Sequence, residues 1–376
     1  MPRRVLFASI DSAWAGAQAQ MLELAAGLDR AEWEPMLLTS GAGDLIQKAR
    51  AAGIRTHVVP FGLVRRRFPF ADYYLAGPLW LTWLLRRERI ALVHAHDPNS
   101  PLALAPVAGR LGIPLVSHIH DLDQRWVTKR SLAALRRTRS AIVAISDAAA
   151  RWARERGAPA SMVRRIYNGV HLAPFVAANR EGIRRELGLS PDDVAIVLLG
   201  RLVPRKGQED AIRALAEPAL RATTAHLFLV GGAAAPERAY EASLRALVAE
   251  LALDERVTFL GERDDALSLL AAMDLSVVPS RREAFGRVVI EAMHAGTPVV
   301  AYDDGALPEL VRDGTDGLIV PTGDTGALAQ ALARLANDRP LRATMAASAR
   351  TRAGEFTHER FVAECTALYR ELLGVE

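Results

Sequence analysis

The sequence predicts an α/β protein made of two doubly wound domains, each built on a parallel sheet. Three observations carry that expectation. The chain has 376 residues, more than the roughly 250–300 at which a single core stops growing. Short apolar runs alternate along its length with stretches whose apolar residues recur at steps of three and four, the pattern of strand–helix–strand units. The rhythm loses its periodicity near 168–179 and then begins again.

In the first half the apolar runs predict strands at Val5–Ser9, Met36–Thr39, Thr56–Val59, Leu92–His94, Leu115–His118, Ala141–Ile145 and Val163–Ile166. Helical spacing falls between them at Ala17–Leu28, Asp44–Ala52 and Pro101–Leu111. In the second half, strands are expected at Ala195–Leu199, Ala225–Val230, Val257–Leu260, Leu275–Val278, Val299–Ala301 and Leu318–Val320. Helices are expected at Gln208–Ala216, Pro236–Leu251, Asp264–Ala272, Val288–His294, Thr325–Ala336, Leu341–Gly354 and Glu359–Leu373. Ligands of such sheets bind outside the carboxyl ends of the strands, and with two domains the cleft between them is the expected site.

Composition excludes several classes. Half the residues are hydrophobic and 24% are charged, an ordinary globular balance. The single cysteine, Cys365, rules out an internal disulfide framework and a cysteine-based zinc site, and fits a reducing compartment. The N-terminal apolar run is interrupted at Asp11, too soon for a signal peptide. The longest apolar stretch, Tyr73–Leu85, contains Gly77, Pro78 and Thr82 and is shorter than the roughly 20 residues that span a bilayer.

Charge is uneven. Residues 1–180 carry 25 basic and 13 acidic side chains, a net of +12, and the remainder carries 22 and 30, a net of −8. A basic first half suits an anionic partner or is a solvated basic surface. Val64–Phe70, with Arg65, Arg66 and Arg67, and the aromatic stretch ending at Trp80 and Trp83 before Arg86 and Arg87 fit a membrane interface or a lipid-linked acceptor. The competing reading, a core helix with a charged exit, is the favoured one. Nucleic acid fits less well, because no recognised binding motif accompanies the charge.

The chemistry-bearing motifs sit at strand–helix turns. The first turn, Ser9 to Gln18, lacks the Gly-x-Gly-x-x-Gly of a dinucleotide site but places Gly16 at a helix start. Gly200-Arg201-Leu202 through Lys206-Gly207 forms the corresponding turn of the second domain. There a planar guanidinium and a compact ammonium can converge on a diphosphate. Only three lysines stand among 44 arginines, so a lysine at a motif position carries weight. Pro279 to Pro298 follows an apolar strand and reads as a helix bearing Glu283 and Glu291. Eight positions on one helix separate them by about 12 Å, suited to two ends of one elongated ligand such as a nucleotide sugar. The amides of Phe285 and Gly286 would lie at that helix's N-terminus, near the diphosphate. The competing reading is an amphipathic helix with two solvated glutamates.

With these motifs assembled, the chain resembles a retaining glycosyltransferase of family 4. The resemblance spans essentially the whole chain. It rests on the Gly16 loop, Val93-His-Ala-His96, Ser117-His-Ile-His120-Asp121, Ile166-Tyr-Asn-Gly169, the Arg201–Lys206 turn, Gly231-Gly232, Phe259-Leu-Gly261, Glu283 to Glu291, and Gly305 to Val311 with Asp313-Gly314. It implies the GT-B fold, two Rossmann-like domains facing a central cleft, over 1–172 and 173–357, with the helix over 358–376 packing back on the first. It implies that Arg201 and Lys206 bind the donor diphosphate and Glu291 the ribose. Glu283, with Ala284, Phe285 and Gly286, meets the donor sugar, and His120 sits near the reacting sugar. Main-chain contacts to the base come from Glu262 and Arg263. The implied catalytic set is His120, Glu283, Arg201 and Lys206, and Gly16 joins the donor site.

The resemblance implies no cofactor and no metal. The donor is a nucleoside-diphosphate sugar of UDP or GDP type. The acceptor is an unknown hydroxyl compound, with a lipid-linked or anionic one in view, and nucleic acid is not expected. The setting is bacterial polysaccharide, glycolipid or cell-envelope synthesis, in the cytoplasm at the inner face of the membrane. Against the family pattern, Ala15-Gly16 replaces a double glycine, Ala284 replaces a glycine, and Arg287 stands where a small or apolar residue is common. His94, His96 and His118 lack carboxylate partners beyond Asp97 and Asp121 for a metal shell, and are expected to line the cleft ends of two strands. Two other readings stay open: a nucleotide-sugar epimerase on the same fold, and a non-catalytic nucleotide-sugar-binding protein.

Overall fold

The computed structural model describes residues 1–10, 16–41, 43–58, 77–122, 127–172 and 179–375. The chain divides into two compact units, Met1–Gly169 with His358–Glu376, and Val170–Thr357. Asp11, Arg65, Arg66, Arg67 and Tyr73–Ala76 lie outside the described residues.

The first unit holds seven strands among its described residues. They are β1 (Arg3–Ser9), β2 (Trp33–Thr39), β3 (Arg55–Val58), β4 (Ile90–Ala95), β5 (Leu115–Ile119), β6 (Ser140–Ala144) and β7 (Val163–Arg165). All pairings are parallel, in the order β3-β2-β1-β4-β5-β6-β7. Successive connections run outward in opposite directions from β1 and β4. Right-handed crossovers therefore place helices on both faces, which is why Val5 to Ala8 are buried as a continuous apolar run. The strand expected to start at Met36 starts at Trp33, despite Pro35. That proline is tolerated because β3 pairs only with Met36–Thr39, so beside Pro35 no β3 residue needs an N–H. The helix His358–Leu373 lays Phe361, Cys365 and Tyr369 into the same core as Phe7, Trp33, Leu92 and Val116.

The second unit holds β8 (Val194–Leu199), β9 (Ala225–Val230), β10 (Val257–Gly261), β11 (Leu275–Val278), β12 (Val299–Tyr302) and β13 (Gly317–Val320). They too are parallel, in the order β10-β9-β8-β11-β12-β13. The predicted α/β class with two doubly wound parallel sheets is therefore what the chain adopts. Each sheet has a switch point where its strand order reverses, between β1 and β4 and between β8 and β11. A crevice opens beyond the strand ends at such points.

The Tyr73–Leu85 expectation meets the described residues in the helix Gly77–Arg87. Leu81, Leu84 and Leu85 are buried, but Leu79 is 71% and Trp83 49% exposed. The segment is thus a half-buried amphipathic helix rather than a core helix. No helix among the described residues is long and apolar enough to cross a membrane.

Candidate active site at the switch points

The turn after β8 is shaped by glycine. Gly200 has φ 155 and donates its N–H to Val230 O at 2.8 Å. Pro204–Lys206 form a short 3-10 turn, and Gly207, at φ 72, begins the helix Gln208–Ala216. A side chain on Gly207 would collide with the Pro279 carbonyl, so the turn can sit directly against the loop that follows β11. Arg281 N donates to Arg205 O at 2.8 Å and ties the two loops together. Gln208 holds the Arg201 carbonyl at 2.9 Å. The Arg201 side chain is exposed.

Across this junction the Lys206 ammonium meets the Glu283 carboxylate at 2.6 Å. The backbone around Glu283 is locked. Its carbonyl accepts from Ala306 N at 2.9 Å, Gly305 packs on that carbonyl with no room for a Cβ, and Asp304 accepts from Arg282 N at 2.5 Å. Arg282 is thereby held at φ 52, a conformation costly for a residue with a side chain. Ala284 and Phe285 are buried, and Gly286, at φ 100, caps the helix Arg287–Ala295.

That cap corrects one expectation. Glu283 and Glu291 do not share a helix, because Glu283 lies in the loop before Gly286 and only Glu291 is helical. The 12 Å helical offset does not apply. Glu291 lies 3.8 Å from Arg287, one turn earlier, so the departure at Arg287 supplies a countercharge to the ribose candidate. The Arg263 guanidinium is also committed: both ends pair with Asp265 at 2.7 Å and one nitrogen reaches Glu186 at 2.7 Å. These anions hold its pKa above the usual arginine value. The sequence reading assigns a ligand the main chain of Arg263, not this side chain. A depression of about 790 Å3 adjoins the turn, lined by Arg201, Arg205, Arg281, Arg282 and Tyr240. Within it Arg281 pairs with Asp210 at 2.8 Å.

In the first unit, Gly16 opens the helix Gly16–Gly27 and is exposed. At the β1–β4 switch point Asp97, weighed in the sequence only as a partner for a metal shell, acts as a clamp. It accepts from Ile10 N at 2.8 Å, from Asn99 N at 2.8 Å and from Ser100 N at 2.9 Å, and from the Ser100 hydroxyl. An aspartate two and three residues before the amides it bonds is the signal for such a turn.

The four histidines form a two-by-two block on one face of the sheet, because residues two apart on a strand share a face. Along each chain segment the rings lie 4.2 Å apart by centroid, His94 over His96 and His118 over His120. Across the strands His118 Nδ1 is 3.2 Å from His94 Nε2, and His96 Nδ1 is 2.9 Å from His120 Nε2. His94 Nδ1 continues to the Tyr369 hydroxyl at 2.5 Å. The block corrects the expectation that His94, His96 and His118 line a cleft, since all three are buried, His94 against Tyr369, His118 against Phe361 and His96 against Phe7. Burial holds their pKa values well below the ordinary imidazole range and takes the partly exposed His120 down to about 3, so all four are neutral at pH 7. One nitrogen each from His94, His96 and His118 lie within 4.8 Å of one another, a spacing a metal ion could use, although His94, His96 and His118 already bond ring to ring or to His120.

Residues 179–352 match the family Glycosyl transferases group 1, and residues 14–173 match Glycosyltransferase Family 4. A D-inositol 3-phosphate glycosyltransferase of Mycobacterium marinum is 30% identical over 93% of this chain and 70% of its own length. The chain belongs to glycosyltransferase family 4. A relative of the same description from Saccharomonospora viridis is 36% identical over 56% of this chain and 50% of its own length. The chain thus spans from half to 70% of the length of these curated family members. The solved structure of Anabaena Alr3699/HepE in complex with UDP superposes with a TM-score of 0.84 and 26% identity, covering 98% of this chain and 99% of that one. The same protein has been solved with UDP-glucose. The two Rossmann-like domains are those of the family's GT-B fold.

Proposed function

We propose that the chain is a retaining, metal-independent hexosyltransferase that moves a sugar from a nucleoside-diphosphate donor to an acceptor hydroxyl. The observation that carries the reading is the Lys206–Glu283 contact across the β8–β11 switch point, with Arg201 exposed beside it. Lys206 and Arg201 bind the diphosphate, Glu283 and the amides of Phe285 and Gly286 meet the sugar, and Glu291 meets the ribose. A uridine donor is favoured because the solved relative binds UDP and UDP-glucose.

In the reaction the bond from the anomeric carbon to the diphosphate breaks and a bond to the acceptor oxygen forms on the same face. The acceptor proton passes to the leaving phosphate oxygen. Negative charge grows on the diphosphate, and the cations of Lys206 and Arg201, brought to it, lower the barrier by several kcal/mol. An anionic acceptor fits the +12 of residues 1–180, and the relatives' name describes a phosphorylated cyclitol. Incubation with UDP-glucose, with and without inositol phosphate and lipid-linked acceptors, tests the reading. Glycosylated acceptor supports it. Epimerised donor without transfer, or binding without turnover, would replace it.

A further inference from the structure

The turn after β8 sends its cations two ways. Lys206 pairs with Glu283 and takes no part in the depression of about 790 Å3 beside the turn, whereas Arg201 and Arg205 line it. Arg281 and Arg282, from the loop after β11, line the same depression. The Arg281 N to Arg205 O bond at 2.8 Å and the seat of Gly207 on the Pro279 carbonyl stitch the two loops together. Four arginines of the second unit are thus gathered by backbone contacts.

One of the four is neutralised. The Arg281 guanidinium pairs with Asp210 at 2.8 Å and lies 5.6 Å from the Tyr302 ring centre, and Asp210 accepts from the Tyr302 hydroxyl at 2.9 Å. The side chains of Arg201, Arg205 and Arg282 have no hydrogen bond or ion pair among the described residues. Like charges on one concave wall repel, and the low-dielectric protein beneath focuses their field outward. This positive patch stands in the acidic part of the chain, where residues 181–376 carry a net of −8. Background arginine does not account for it. Planar guanidinium forks suit the several oxygens of a phosphate group.

The depression also holds acid. Glu209 lines it and is committed to Arg213 at 2.9 Å. Glu237 lines it with no hydrogen bond or ion pair among the described residues. A bare anion would leave that carboxylate facing like charge, whereas a ligand hydroxyl would donate to it. We propose that the depression is a second anion site, separate from the Lys206–Glu283 contact, and that it takes a soluble phosphorylated polyol. The phosphate sits on Arg201, Arg205 and Arg282, and a hydroxyl donates to Glu237.

Isothermal titration of the full-length protein with glycerol 3-phosphate at fixed ionic strength tests the site. Phosphatidic acid vesicles present the same phosphate with its hydroxyls esterified. Glycerol 3-phosphate is expected to bind, and Arg205→Gln and Arg282→Gln each to weaken it about 10-fold. Both variants should keep UDP affinity within about 2-fold of the wild-type value. No binding of glycerol 3-phosphate, or binding that both variants leave unchanged, would overturn the site. Equal affinity for inorganic phosphate would overturn the hydroxyl contact at Glu237. Binding to the vesicles alone would overturn the soluble ester in favour of a lipid headgroup.

A second readout rests on the proposed function, in which Arg201 also holds the donor diphosphate. An anion in the depression draws on the same cation and repels the diphosphate, so each ligand weakens the other by the same factor. Saturating glycerol 3-phosphate is expected to raise the Kd for UDP about 5-fold or more in the wild-type protein, and to leave it unchanged in the double variant Arg205→Gln, Arg282→Gln. An unchanged constant in the wild-type protein would overturn the sharing of Arg201. A protein that binds glycerol 3-phosphate and no UDP would sink the proposed function and keep the site, because the first titration needs no donor.

Discussion

Lys206 Nζ lies 2.6 Å from Glu283 Oε2, joining the turn after β8 to the loop after β11. Both side chains are largely enclosed, at 18% and 11% exposure. Lys206→Ala strands an enclosed carboxylate and is expected to cost about 1–3 kcal/mol of stability. It should also lower turnover by about two to three orders of magnitude. Arg201 is exposed, so Arg201→Ala should lose comparable turnover at a stability cost within about 0.5 kcal/mol. Chemical denaturation and steady-state kinetics on the two variants check this contrast. Near-normal turnover in both would remove the diphosphate assignment.

Gly207 sits at φ 72 against the Pro279 carbonyl. Gly207→Ala meets both a strained backbone and a backbone collision, and neither can relax without parting the two loops. A loss of about 2–4 kcal/mol and a matching fall in donor affinity are expected. Calorimetric unfolding and nucleotide titration would reveal a tolerant loop if both stay unchanged.

The histidine block predicts acid sensitivity. Burial lowers the native pKa values of His94, His96 and His118, so below pH about 6.5 the unfolded chain binds protons that the native state refuses. Stability is full above that pH and falls by about 1.4 kcal/mol per pH unit for each ring as the pH drops. Together the three should remove about 4 kcal/mol between pH 7 and 5.5. Unfolding curves across that range would contradict the prediction if they superpose.

A chelator should leave turnover unchanged. Arg201 and Lys206 supply the positive charge that a divalent ion would otherwise bring to the leaving group. Activity lost to chelator and restored by one added divalent ion would reverse this expectation.

The helix Gly77–Arg87 presents Leu79 and Trp83 beside Arg86 and Arg87, with the Arg87 guanidinium 4.8 Å from the Trp83 ring centre. If this face meets an anionic membrane, vesicles containing anionic lipid should pellet the protein at low salt and release it as salt rises. Trp83→Ala with Arg86→Glu and Arg87→Glu should weaken pelleting and spare donor binding. Equal, negligible pelleting with anionic and neutral vesicles would leave a soluble acceptor.

What the sequence made legible follows burial. Ala225–Val230 and Leu275–Val278 match their strands residue for residue, because buried parallel strands are uninterrupted apolar runs. Lys129–Leu135, Asp147–Glu155 and Arg180–Glu186 were not foreseen as helices. They are short and rich in arginine or alanine, and their starts depend on Thr128, Ser146 and Asn179 side chains that bond the first turn. At the site, the residue types were legible and their backbone was not. Glu283 was placed on a helix because nothing in the letters announces that Gly286 turns left-handed and starts it. The Arg263–Asp265–Glu186 knot and the Tyr369–His94 contact join residues far apart in sequence or hidden by neighbouring charges, and only the folded chain brings them together.

The helix His358–Leu373 gives the first unit a delayed birth. Its core includes Phe361, Cys365 and Tyr369, so during synthesis that core lacks part of its apolar lining until residue 369 has left the ribosome. The second unit, one continuous stretch from Val170 to Thr357, has all its residues in hand earlier. The half of the molecule whose translation begins first is therefore the half whose residues are completed last. In the interval, the apolar groove beside Phe7, Trp33 and the histidine block is the surface a holding chaperone would see. Nascent chains arrested near residue 350 should be captured through that groove, and chains arrested well beyond residue 376 on a C-terminal linker should be released.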